Sequence, residues 1–311
     1  MNKKKPTISI VSTLYKSSGT VTEFINSICN HASTITNNFE IVLVDDGSPD
    51  DSLEIARKAK APTRIIQLTK NFGHHHAMMA AIENARGDYV FLIDSDLEED
   101  PSLILDFWTK FEQNSDADVI YGIQENRKGS LVEKLSGKMF YSIFNALSEI
   151  QIPPDLLTVR LMSRRYVETL KQYTENSVFI GGLWQIAGYK QLPLRVRKKS
   201  SSRTTYTLTR KLELVLNSIT SFSSKPLLLL FKLSLFINVI TLLYIGRNLY
   251  YWFEYDETIS GYSSIIISIW MFGGLLLSAT SIIGLYLSKI FTEVKNRPRY
   301  SIKEIIDRSP L

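Results

Sequence analysis

The chain has 311 residues, 44% hydrophobic and 22% charged, and its 36 lysines and arginines outnumber 31 aspartates and glutamates for a formal charge of +5. That length holds one large or two ordinary domains, and the single cysteine, Cys29, excludes an intramolecular disulfide and agrees with a reducing compartment. The positive charge is not a nucleic-acid footprint: bases gather at Arg195 to Lys199, Arg203, Arg210 and Lys211, where anionic lipid headgroups or a lipid phosphate explain them better, and no RNA-binding aromatic motif or helix-turn-helix spacing is present.

Taken in chain order, Met1 to Lys5 is basic, but the following Ile8 to Leu14 is short and interrupted by polar residues, so it reads as a strand and not a signal sequence. Strand and helix patterns then alternate: helix Val21 to Asn30, strand Glu40 to Val44, helix Ser52 to Lys60, strand Arg64 to Leu68, helix His76 to Ala85, strand Tyr89 to Ile93, helix Ser102 to Gln113 and strand Val119 to Ile123. This alternation predicts an α/β fold with a mostly parallel sheet flanked by helices. After Gly122 the rhythm changes, and an apolar stripe predicts a long amphipathic helix over Leu131 to Leu147, either a core helix or one lying at a membrane. A second amphipathic segment, Leu208 to Phe222, has the character of an interfacial helix.

The last third is far more apolar. Leu227 to Ile245 is almost wholly apolar, broken by Lys232 and Asn238, and Ser264 to Leu287 carries no charge; each run can span the roughly 30 Å hydrocarbon layer as a helix. Bases flank the outer ends of the pair, whereas the connection holds Arg247 alone against Glu254, Asp256 and Glu257, so both termini are expected in the cytoplasm. The expected organisation is a cytoplasmic domain over 1–207, a juxtamembrane segment over 208–226, a two-helix hairpin within 227–290 (spans at about 227–245 and 264–287) and a cytoplasmic tail over 291–311. The location that follows is the cytoplasmic membrane.

Two acidic clusters follow all-apolar strands: Asp45-Asp46-Gly47-Ser48 after Ile41 to Val44, and Asp94-Ser95-Asp96 with Glu98 after Tyr89 to Ile93. Strand ends of this kind form the ligand-binding edge of an open α/β sheet, and clustered carboxylates there suit Mg²⁺ or Mn²⁺ with a nucleotide diphosphate. An isolated Asp-x-Asp is common in solvated turns; the preceding apolar strand is what raises its meaning. Lys70-Asn71-Phe72-Gly73-His74-His75-His76 reads as a diphosphate-facing loop at a helix N-terminus rather than a zinc site, because consecutive residues cannot all point at one ion. The arginines of Arg160 to Arg165 and the basic loop Arg197 to Arg203 could hold a phosphate or simply form a solvated basic face.

Together these residues, with Ser221 to Leu227 and the tail Glu293 to Pro298, resemble the family-2 glycosyltransferases of the GT-A fold, specifically the membrane-anchored branch that moves a sugar from a nucleotide to a polyprenyl phosphate. The resemblance implies an inverting, metal-dependent transfer from a UDP-sugar or similar donor. It assigns Thr13, Asp45, Asp46, Lys70, Asn71, Gly73, Asp94 and Ser95 to the nucleotide, and Asp94, Asp96 and Glu98 to Mg²⁺ or Mn²⁺. It gives Arg127, Arg160, Lys199 and Arg203 to the acceptor phosphate, and Asp94, Asp96, Arg160 and Asp155 to catalysis. It also suggests a homo-oligomer. Four departures stand out: no proline follows Thr13, Glu98 replaces a glutamine, Ser202 to Tyr206 replaces a glycine-serine-lysine-tyrosine segment, and Thr158 occupies the place of an acid two residues before Arg160, leaving Asp155 as the nearest carboxylate. Such an acceptor is already ionised near neutral pH and needs no strong base.

Three alternatives compete. A processive polysaccharide synthase would need a translocating channel and a Gln-x-x-Arg-Trp motif, and Trp184 lacks that context. A catalytically weak membrane scaffold binding nucleotide-sugar or a partner enzyme is motivated by Thr158. A nucleotidyltransferase would need a glycine-rich loop that Gly19 alone does not supply.

Overall fold

The computed structural model describes residues 6–125, 151, 153–176, 179–199, 223, 225–255 and 261–311. Two compact units result, one holding most of the first 207 residues together with 296–311, the other holding 208–295 with 143–150. The expected helices at Leu131 to Leu147 and Leu208 to Phe222 lie outside the described residues, as do Arg127 and Arg203.

In the first unit the strands β1 (Ile8–Leu14), β2 (Phe39–Asp45), β3 (Thr63–Leu68), β4 (Tyr89–Leu92), β5 (Val119–Gln124), β6 (Leu156–Ser163), β7 (Gln191–Val196) and β8 (Ile302–Asp307) form one sheet in the order β7-β5-β6-β4-β1-β2-β3-β8. β3, β2, β1 and β4 run parallel, β7 is parallel to β5, and β6 and β8 are antiparallel to their neighbours. Every residue of β1 and β2 is buried, as a parallel sheet covered on both faces requires.

The covering helices are α1 (Val21–Ile35), α2 (Ser52–Lys58), α3 (His74–Glu83) and α4 (Leu103–Gln113), followed by α5 (Arg164–Lys171) and α6 (Ile180–Ile186). α1 turns Val21, Phe24, Ile25, Ile28 and Ala32 inward at helical spacing, and α4 brings Phe107 edge-on to Phe91 at 5.5 Å between ring centres. The expected elements of the first 125 residues are therefore present, their ends moved by a few residues.

The segment expected as a tail carries β8. It pairs with β3, and Arg299 and Tyr300 just before it both bond Glu83 at the end of α3, while Thr69 N donates to Ser301 O (2.9 Å).

The second unit consists of two long helices, α7 (Lys225–Tyr255) and α8 (Tyr262–Val294). Tyr286 of α8 donates to the carbonyl of Ser223, which precedes α7, at 2.6 Å. Both helices overrun their expected bounds, so the expected connection after Ile245, with Arg247 and Glu254, is helical up to Tyr255. Among the described residues one stretch, Met271–Val294, is long and apolar enough to cross a membrane. Leu228, Leu229 and Phe231 of α7 and Leu276, Leu277 and Phe291 of α8 are exposed, an apolar surface larger than scattered single residues produce.

Candidate active site

The parallel register places Leu14 opposite Asp45 and Val11 opposite Leu92, so the tips of β1, β2 and β4 open on one edge. At the β2 tip, Asp45 is buried and accepts from Ser48 N (3.2 Å), and burial raises its pKa against that bond. Asp46 has a different task. Its carboxylate takes both Phe72 N (2.7 Å) and Gly73 N (3.0 Å), fixing the loop that runs into α3 instead of turning to a ligand. Gly47 sits between them at φ +64°, where a Cβ would meet Asn71 N at 2.7 Å; only glycine lets the two loops come this close. Lys70 is exposed above Phe72, and Asn71 is exposed beside it. Asp50 closes this corner, accepting from Ser18 N (3.0 Å) and Ser48 Oγ (2.6 Å) and so tying the β1–α1 and β2–α2 loops together.

Beyond β4, buried Ser95 donates to Thr13 O (2.8 Å), which pins the acidic turn to β1. Its neighbours then diverge, Asp94 inward and Asp96 into solvent. Burial, then the charge on Asp96, push Asp94 up to about 6. The Asp94 Oδ1 accepts no hydrogen bond, and His74 Nε2 stands 3.5 Å away while His74 Nδ1 meets Thr13 Oγ1 at 3.2 Å. Because β4 and β6 are antiparallel with Leu92 opposite Arg160, the next inward pair is Asp94 and Thr158, and the Thr158 hydroxyl bonds the Asp94 carboxylate. Thr158 therefore fills a site-facing position; Asp155, with φ +57°, lies in the turn before β6 and uses its carbonyl to bond Gln124 N (2.9 Å).

Glu98 is turned elsewhere than its expected role as a metal ligand, to Lys198 Nζ at 2.8 Å, and Lys199 pairs with Asp100 at 2.8 Å. The basic loop after β7 is thus neutralised by the acidic turn. Glu99, 1% exposed, lies under the same lysine, and burial followed by the Asp94 charge raise its carboxyl to about 7. Arg160 does not reach the cleft: it is 1% exposed, its guanidinium 2.9 Å above the centre of the Trp184 ring and its Nε on Thr158 O (3.3 Å). Burial pulls it down to about 9, so it stays charged at neutral pH. An inward position on a central strand leaves this arginine no other direction. Arg164 and Arg165 lie at the opposite end of the sheet, bonding Ala85 and Gly87 carbonyls and Asp118.

No three His, Cys, Asp or Glu side chains form a ready metal cage among the described residues. The arrangement fits the other way Mg²⁺ is held, by one or two carboxylates with substrate phosphates completing the shell. Asp94, with an oxygen lacking a donor, and exposed Asp96 supply such a pair. Beside them lies a cavity of 210 Å³ whose walls include His74, Met78, Thr158, Phe179, Gly181 and Trp184.

The family model for glycosyl transferase family 2 matches residues 9–179, more than half of the chain and every element that carries this edge. The chain belongs to that family. A glycosyltransferase of Mycobacterium tuberculosis is 40% identical over 96% of this chain and 88% of its own length, and the glycosyltransferase YkcC of Bacillus subtilis is 34% identical over 86% and 84%. The bactoprenol glucosyl transferase of Shigella phage SfII is 29% identical over 96% of this chain and 97% of that protein.

For a family-2 glycosyltransferase, this edge has members that the sequence pattern did not single out. In the chain Glu99 is one more acid in a polar turn, and its burial under Lys198 emerges only in the fold. Lys198 was one base in a basic run. His74 had a signal, its place at the start of α3 next to Gly73, but nothing in the linear chain brings it to Asp94.

Proposed function

We propose that this glycosyltransferase moves one sugar from a nucleotide-sugar, a UDP-sugar in the first instance, to a polyprenyl phosphate at the cytoplasmic face of a membrane in which α7 and α8 are both embedded, with both chain ends on that face. The observation that carries the reading is the end-to-end similarity to a bactoprenol glucosyl transferase, together with the exposed apolar surface of the helix pair. In this reading Asp45 receives the nucleoside, and Asp94 and Asp96 hold Mg²⁺ or Mn²⁺ against the diphosphate. Such a cation, when bound, neutralises charge on the leaving nucleotide.

The acceptor phosphate oxygen attacks the anomeric carbon from the face opposite the diphosphate, the carbon–oxygen bond to the nucleotide breaks, and configuration inverts. A phosphate monoester brings its own negative oxygen, so Thr158 need not remove a proton; its hydroxyl holds the Asp94 carboxylate in place. Lys199, Arg127 and Arg203 are the cations proposed for the acceptor phosphate.

The test is incubation of detergent-purified protein with undecaprenyl phosphate, Mg²⁺ or Mn²⁺ and a panel of UDP-, GDP- and dTDP-sugars, with mass spectrometry of the lipid. A glycosylated lipid phosphate is expected. Donor binding without any lipid product would favour the scaffold reading, for which Thr158 is the specific observation.

A further inference from the structure

Three basic residues follow β7, and the chain turns them differently. Val196 is buried, so the alternation of an extended segment puts Arg197 outward, where it pairs with Glu125, and brings Lys198 back toward the sheet. There Lys198 meets the acidic turn after β4, its Nζ 2.8 Å from Glu98 Oε2 and 3.3 Å from Glu99 Oε1. Lys199 N donates to Glu98 O (2.9 Å), so a backbone bond joins the two loops and fixes where the Lys198 side chain starts.

Lys198 is mostly covered, and one of its partners, Glu99, is 1% exposed. Two carboxylates share one ammonium, so the group stays negative and, with Asp94 and Asp96 beside it, draws a divalent cation. Lys198 acts on that cation in the opposite sense. Its charge is felt at Asp94, where it opposes the effects of burial and of Asp96. A neighbouring charge at such range changes ionisation by roughly tenfold or more, and a divalent ion on Asp94 and Asp96 meets the same ammonium with twice the charge of a proton. A diphosphate meets attraction instead. The lysine therefore disfavours the metal alone and favours the metal accompanied by phosphate oxygens.

We propose that Lys198 is a resident counter-ion of the acidic turn, which keeps the turn from loading with a bare divalent cation and makes the metal enter together with the nucleotide diphosphate. The proposal rests on the metal assignment in the glycosyl-transfer reading above. Lys198 touches no reacting atom in this scheme; it is a positioning residue that acts through Asp94 and Asp96. A lysine that merely braced the turn would weaken metal binding when removed, whereas a counter-ion strengthens it, so the two roles differ in sign.

The test is Mn²⁺ binding to the full-length, detergent-purified protein without nucleotide, read at one fixed pH from the electron paramagnetic resonance of free Mn²⁺. Calorimetry gives the affinity for the preformed Mn²⁺–UDP complex, and transfer to undecaprenyl phosphate is followed in parallel. Lys198→Gln should tighten Mn²⁺ alone by about tenfold and change the affinity for Mn²⁺–UDP by less than about threefold, because the effects on cation and diphosphate oppose each other. Lys198→Met, which keeps the aliphatic stem, is the parallel neutral variant, and Lys198→Arg, which keeps the charge, should stay within about twofold of the unaltered protein. Mn²⁺ binding that is weaker or unchanged in both neutral variants overturns the proposal. A gain in Lys198→Gln that survives the addition of Asp96→Asn places the cation elsewhere and overturns it as well. Tighter Mn²⁺ binding as expected, without any lipid-linked sugar from the unaltered protein, would uphold the counter-ion and sink the polyprenyl acceptor instead.

Discussion

The two ends of the sheet both bury carboxylates, yet they treat them differently. At the N-terminal ends of the parallel strands, Glu40 is wholly buried and its Oε1 accepts from Ser9 Oγ (2.6 Å) and Arg86 N (2.8 Å), while Asp118 is held by Ser163 and Arg165. Each accepts from donors of the protein, Glu40 through Oε1 alone, its Oε2 being without a partner. At the C-terminal ends, Asp94, Asp96, Glu98 and Glu99 crowd one turn, Lys198 pairs with both glutamates (2.8 and 3.3 Å), and Asp94 Oδ1 accepts no hydrogen bond within the protein. A buried acid surrounded by donors supports the fold; buried acids facing each other are arranged for something not part of the protein.

The largest expected effect breaks the comparison at its functional end. Asp96→Asn or Asp94→Asn should lower transfer by at least about 10²–10³-fold, the scale of losing one preorganised electrostatic group, with the melting temperature unchanged or raised. Asp155→Asn should cost far less, since Thr158 and not Asp155 stands on Asp94; equal losses in kcat would reverse that ranking.

At the other end the signs exchange. Glu40→Ala leaves the Ser9 hydroxyl without its acceptor and takes from Arg86 N the shorter of its two acceptors and should destabilise by about 1–3 kcal/mol, read from denaturant unfolding, with kcat per folded molecule preserved. Gly47→Ala falls between the two ends. Its φ of +64° and the 2.7 Å approach to Asn71 N should cost about 1 kcal/mol or more and raise the KM for donor by displacing the Lys70–Gly73 loop.

The smallest effect is a pH dependence. Asp94 and Glu99 are pushed up to about 6 and about 7, above unfolded values near 4, so the folded protein holds these protons more tightly. Their contribution to stability is complete below about pH 4 and is lost as pH rises through 6 to 7. Thermal melts of the metal-free protein should fall over that window, Glu99→Gln should flatten the fall, and Mg²⁺ with UDP should restore stability at pH 7.5. A flat profile for the unaltered protein would show that other groups compensate the acidic turn.

Much of this was legible in the chain. Apolar runs ending in acids located β2 and β4 and the edge they share, because a buried parallel strand must be apolar throughout and only its tip can carry chemistry. The roles within the edge were less legible. Asp45 and Asp46 are neighbours of one type, and only the fold separates the acid left at the tip from the one consumed by the Phe72 and Gly73 amides. Arg160, assigned to the acceptor phosphate by resemblance, stands between Val159 and Leu161 on β6, and alternation along that strand turns it onto Trp184. β8 was missed because Ile302–Asp307 interleaves charges with isoleucines, the habit of an exposed edge strand.

That eighth strand has a consequence for synthesis. β3 leaves the ribosome with its outer edge bare and must wait for more than two hundred residues, both apolar helices among them, before β8 arrives to pair with it. Contacts so distant in sequence form late, and an uncovered strand edge is open to pairing with other chains in the meantime. Completion of the first unit is therefore timed to follow the emergence of α7 and α8. A protein cut after residue 207 would lack the strand that seals its sheet, whereas one that keeps 296–311 joined to it by a short linker retains both parts of the unit.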